Sequence, residues 1–123
     1  MRLLRSLSWI VFLAFLASCA SRGSRYYYFG DYSDAERYYN KGEYQKAIDK
    51  YQAYLDGNPE GNLAVISQYY IGKSYVALGK TDKAKKVFQE ITQKYPELVW
   101  TNFAQNQLKE LELQSAGKSQ TQK

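Results

Sequence analysis

Ile71-Gly72-Lys73-Ser74-Tyr75, followed by Gly79, by Ala84-Lys85-Lys86-Val87-Phe88 and by Pro96, is the stretch that decides the fold. Apolar and small residues spaced three and four apart put a buried stripe on each of two helices. Gly79 falls between them as a turn residue, and Pro96 ends the second helix because a proline cannot continue it. Gly72 and Ala84 are small where antiparallel helices approach closely, and Tyr75 and Phe88 fill the gaps between turns.

Working upstream, the same pattern recurs at an offset of 37 residues. The only two prolines, Pro59 and Pro96, share that offset, as do Gly42 and Gly79. It also pairs Tyr32 with Tyr69, Ala35 with Gly72, Tyr38 with Tyr75, Ala47 with Ala84, and Tyr51 with Phe88. Small residues align with small and aromatics with aromatics, which is the mark of stacked helical hairpins. A generic helical bundle would not need both prolines and both turn glycines in one register.

The pattern predicts five helices, at about 33–41, 44–56, 63–78, 81–94 and 97–114. Ser33 with Glu36 forms a possible capping box, Asn62 and Thr81 suit N-caps, and Gly42, Gly57 and Gly79 fall at helix ends. The opening helix is degenerate, because Asp34 stands where an apolar residue should pack, and is expected to be short or frayed. The last is amphipathic, with Trp100, Phe103, Ala104, Leu108 and Leu111 on one side, and would cap the stack with its polar side.

These residues resemble the tetratricopeptide repeat. Ile71-Gly72-x-x-Tyr75, Gly79, Ala84-x-x-x-Phe88 and Pro96 match the family pattern, with Gln68 in place of the usual Trp. The first unit keeps Ala35, Tyr38, Gly42, Ala47, Tyr51 and Pro59, and Trp100-x-x-Phe103-Ala104 restarts the pattern without a second helix. The resemblance implies an all-α fold, a short helical-hairpin solenoid of about two repeats plus a C-terminal capping helix, over residues 31–114, with 115–123 as a disordered tail. It also implies a protein-binding groove lined by Glu36, Tyr39 and Asn40 of the first unit and Tyr69, Lys73 and Val76 of the second. For Tyr39 and Val76 core packing is an equal alternative, whereas Tyr69 and Lys73, one turn apart, are expected to be exposed together. Tyr32 and Glu36 stand where the chaperone-binding members of the family carry Lys and Asn, so that partner class is not implied.

The start of the chain reads differently. Arg2 and Arg5 precede an apolar run of about ten residues, too short to span a bilayer, which ends in Leu16-Ala17-Ser18-Cys19. This resembles the bacterial lipoprotein signal, matching at all four positions of its cleavage motif. The resemblance implies loss of residues 1–18 and a covalent lipid on Cys19, with residues 19–30 as a flexible tether. Two or three acyl chains would hold the protein firmly, at about 0.8 kcal/mol per buried methylene. Ala20 and Ser21 lack the Asp that retains such proteins in the inner membrane, so the implied location is the outer membrane, facing the periplasm, or the outer membrane face in a Gram-positive cell. Tyr26, Tyr27 and Tyr28, with Arg22 and Arg25, could rest among lipid headgroups or pack on the domain.

Composition narrows the chemistry further. There is no His and one Cys, which excludes His/Cys zinc sites, Cys/His nucleophile pairs and an internal disulfide. The net charge of +5 includes the two leader arginines, and nucleic acid is not an expected partner: Lys80, Lys83, Lys85 and Lys86 cluster without interleaved aromatics and read as a solvated face. The acids sit near caps, turns and polar faces rather than as paired carboxylates, so no catalysis and no cofactor beyond the lipid is expected. Tether and repeats together resemble the β-barrel assembly (BamD-like) outer-membrane lipoproteins, whose longer arrays this chain matches only in part. The expected function is a membrane-tethered scaffold binding other envelope proteins, or itself. A peptidoglycan or glycan binder and a pilotin-like secretion accessory are the alternatives.

Overall fold

The computed structural model describes residues 29–120. Five helices follow one another: α1 Asp31–Asn40, α2 Tyr44–Gly57, α3 Asn62–Ala77, α4 Thr81–Lys94 and α5 Val99–Gln120. Each packs on the next, and α3 also touches α5. Among the described residues, no helix is long and apolar enough to cross a membrane.

The repeat predicted from residue identities is reproduced in backbone geometry. At the α1–α2 turn Glu43 N–H donates to Tyr38 O (2.9 Å) and Gly42 N–H to Tyr39 O (3.0 Å). At the α3–α4 turn, 37 residues on, Lys80 N–H donates to Tyr75 O (2.9 Å) and Gly79 N–H to Val76 O (2.9 Å). Both are Schellman closures, which need a left-handed residue after the helix. Gly42 and Gly79 supply it, at φ 75° and 71°. The next helices enter alike, through Glu43 (φ −83°, ψ 61°) and Lys80 (φ −87°, ψ 63°).

Two buried clusters make the core. Tyr32, Ala35, Ala47, Ile48, Tyr51, Leu55, Ala64 and Ile71 form the first, between α1, α2 and α3. Val65, Ala84, Phe88, Ile91, Ala104 and Leu111 form the second, between α3, α4 and α5. Ile66, Tyr75 and Val87 pack against both, so the two are continuous. Gly72 is the tightest point: a Cβ there would lie 2.6 Å from Phe88 Cε1. Ser67 and Ser74 are also fully buried on α3, each hydroxyl donating to the carbonyl four residues back, Leu63 O and Tyr70 O, at 2.7 Å. That internal bond lets a small polar residue sit at a helix contact without an unmet donor.

Several boundaries differ from expectation. Ser33 is not an N-cap but lies inside α1, where its Oγ accepts from Phe29 N–H (2.8 Å) and Gly30 takes the cap position. Asn62 and Thr81 are first helical residues, capped by Gly61 and Lys80 without side-chain hydrogen bonds. α1 is short but not frayed: Tyr32 packs edge-on to Tyr51 and Tyr54, and Lys50 Nζ reaches Asp31 at 2.7 Å. Asp34 pairs with Arg37 at 3.0 Å instead of leaving a hole. α5 starts two residues late, because residues 96–98 form a turn, and runs to Gln120 where a disordered tail from 115 was expected. Nothing in Leu113–Ala116 breaks a helix, and Gly117 alone costs only about 1 kcal/mol. The expectations for residues 1–28, including the leader and Cys19, lie outside the described residues.

Candidate functional site

α1 and α3 are the first helices of the two hairpins, and α5 takes the next place on the same side of the stack. α3 and α5 run parallel at an offset of 34 residues: the Tyr69 and Phe103 rings are 6.2 Å apart, and Lys73 Nζ donates to Gln107 Oε1 at 3.2 Å. On the other flank Tyr39 of α1 meets Tyr70 of α3 edge-on, with centroids 4.9 Å apart. α3 is thus the floor of an inner groove, with α1 and α5 as its walls.

Of the six residues predicted to line it, all come to this side but in unequal roles. Glu36 is half-buried and hydrogen-bonded to the Tyr32 hydroxyl. Asn40 is exposed at the end of α1. Tyr39 is wedged between Tyr44 and Tyr70 and packs on the first core cluster. Val76 packs on the second. For both, packing is the role the contacts give.

Tyr69 and Lys73 are not exposed together; both are half-buried. Tyr69 touches Tyr70, Phe88, Trp100 and Phe103, at centroid separations of 5.7, 5.7, 5.2 and 6.2 Å. It is a keystone between α3, α4 and the capping helix. As well as capping the end of the stack, α5 lies alongside α3, which is what buries Tyr69.

Four more residues belong to the groove, three of them on α5. Tyr70 stacks on Tyr51 (5.9 Å, 16°) and carries the aromatic contacts from the first hairpin into the second. Phe103 is 45% exposed beside Tyr69 and Trp100, and is the accessible ring of the groove. Gln107 bridges Lys73 to Glu110, its Nε2 donating to Glu110 Oε2 at 3.0 Å. The 37-residue register could not reveal the α5 contacts, because α5 follows α3 at a shorter offset.

The groove's electrostatics follow from this packing. Burial pushes the Tyr39 and Tyr69 hydroxyls above their ordinary value, with neighbouring tyrosines, and for Tyr69 also Glu110, adding to the shift. Both therefore stay neutral hydrogen-bond partners at physiological pH. Gln107 holds the Glu110 carboxylate near the Lys73 cation, so charge of both signs meets on the α5 side of the floor. This arrangement can hold an extended segment by its side chains; it holds no paired groups set for proton transfer.

Residues 67–97 match the tetratricopeptide repeat family model. The segment runs from Ser67, inside α3, through α4 and into the turn that follows it. Since α1–α2 repeats its caps and turns, the fold is a short tetratricopeptide-type solenoid, two hairpins closed by α5. Repeats of this type are protein-interaction scaffolds rather than catalytic folds. Comparison with curated proteins gives no match.

Proposed function

We propose that the protein is a lipid-tethered scaffold of the bacterial envelope, whose inner groove grips an extended segment of another envelope protein. The observation that carries the groove is the parallel seating of α5 on α3, which leaves Phe103 exposed in line with Lys73, Gln107 and Glu110. An exposed ring held by two other aromatics is a rigid anchor of the kind that dominates interfaces. The tether rests on Leu16-Ala17-Ser18-Cys19 and the charged apolar leader before it. That motif, with Ala20 and Ser21 after it, supports the outer membrane facing the periplasm as the location, and the likeness of tether and repeats to the BamD-like lipoproteins supports a role in envelope assembly. Other occupants, a second copy of the chain or a glycan strand, would use the same groove.

The test is cross-linking in the cells that make the full-length protein, followed by mass spectrometry. Cys19 is expected to be the N-terminal residue with a lipid adduct, and Phe103→Asp to lose the cross-linked partner while the melting temperature stays within a few degrees. An intact leader or a free Cys19 thiol would remove the tether. A partner retained by Phe103→Asp would move the interface off this groove.

A further inference from the structure

The side of α3 facing away from the inner groove carries a second binding feature. A helix turns about 100° per residue, so Gln68, Ile71 and Tyr75 lie largely opposite Tyr69 and Lys73. There, between α2 and α4, a cavity of about 240 Å³ is lined by Leu55, Gln68, Ile71, Val87, Glu90 and Lys94, among others. A second, of about 290 Å³, continues from it along α4 past Val87 and Glu90 to Tyr75, Lys83 and Lys86. Both are below the roughly 300–1,000 Å³ that encloses a whole drug-sized ligand. They suit individual side chains.

Two observations define the occupant. Gln68 Oε1 is buried with no donor, and an unpaired buried acceptor is costly enough that a ligand supplying N–H would be selected. The surrounding walls are apolar at Leu55, Ile71 and Val87. An indole is apolar with one N–H and no acceptor, which is what the first cavity lacks.

The second cavity adds charge. Lys83 lies over the Tyr75 ring at 5.7 Å, and no ion pair reaches Lys83, Lys86 or Lys94 among the described residues. Glu90 is the one carboxylate in either lining. Lys83 to Lys94 spans eleven residues of helix, about 16 Å, the length of about five extended residues.

We propose that this outer groove holds a short acidic segment of a partner protein, with a tryptophan seated against Gln68 and its carboxylates on Lys83 and Lys86. The lysine cluster then selects and orients the segment.

The experiment titrates isotope-labelled full-length protein with an acetylated pentapeptide, a tryptophan flanked by two aspartates on each side, and follows the spectrum by NMR. Saturable shifts are expected at the Gln68 side-chain amide and the Ile71 and Val87 methyls, with Lys73 and Phe103 unmoved. Gln68→Trp fills the cavity with the chain's own ring and should raise the melting temperature while abolishing the shifts. Lys83→Glu with Lys86→Glu, both exposed sites, should weaken binding about tenfold or more with a nearly unchanged melt, and decides the matter if Gln68→Trp does not fold. No saturable shift, shifts at Lys73 and Phe103 instead, equal binding of the same peptide with lysine flanks, or unchanged affinity in the lysine variant would each overturn the proposal.

Discussion

The two hairpins have the same caps, turns and register but solve the packing of their helices differently. In the first, Ala35 on α1 is paired by the register with Tyr51 on α2; in the second, Gly72 on α3 meets Phe88 on α4 so closely that even one methyl would collide. The first begins at Gly30, whose φ of 56° starts a ten-residue α1, whereas α3 runs for sixteen. It compensates for the missing turns with tyrosine contacts, Tyr32 to Tyr51 and Tyr54 and Tyr39 to Tyr70, and with the Asp31–Lys50 pair. The second relies on close backbone approach and on α5. One repeat geometry therefore tolerates two core chemistries, provided that the glycine turns are kept.

The largest expected effect breaks the second hairpin alone. Phe88 is fully buried, so Phe88→Ala should cost about 3–5 kcal/mol in chemical denaturation. Gly72→Leu should cost about 1–3 kcal/mol by overpacking, against a helix-propensity gain of under about 1 kcal/mol. Combined, they should cost less than their sum by about 0.5–3 kcal/mol, since the deleted ring makes room for the added side chain. Strict additivity would show that Gly72 and Phe88 do not share a contact. In the first hairpin Ala35→Gly should cost only glycine's penalty of about 1 kcal/mol.

A smaller effect separates the hairpins by pH. Tyr32, Tyr39 and Tyr51 of the first all have hydroxyls raised above 10.0, chiefly by burial, whereas the second contributes Tyr69. The unfolded chain ionises first, so the stability these groups contribute is complete below pH 10 and is lost between the unfolded and the higher folded value. Each such tyrosine should lower stability by up to about 1.4 kcal/mol per pH unit in that window. Hydrogen exchange above pH 10 should release α1 and α2 before α4. Simultaneous release of both hairpins would mean that the continuous core makes them one cooperative unit.

The smallest test probes what the hairpins share. Gly42→Ala and Gly79→Ala each force a Cβ into a left-handed turn with open space around it, so both should cost about 1 kcal/mol, and equally. A clear difference in their melts would show that the matched hydrogen bonds at the two turns do not carry equal weight.

Sequence alone settled whatever depends on short-range chemistry repeated at a fixed interval. The 37-residue register, the five helices, the turn glycines at 42 and 79 and the small residue at Gly72 were all legible, because turn residues and helix periodicity are set by residues a few positions apart. Ser67 and Ser74 were not, since a hydroxyl that bonds its own helix looks like any surface serine until a neighbour covers it. Nor was the inner groove. Whether Tyr69 is a free anchor or a keystone depends on where α5 settles, and that is fixed by Trp100, Ala104 and Leu111 fitting across three helices at once. The same long-range fit left Gln68 with a cavity rather than a neighbour. A pattern along the chain states which faces must be buried; only the assembled helices determine which of those faces remain uncovered.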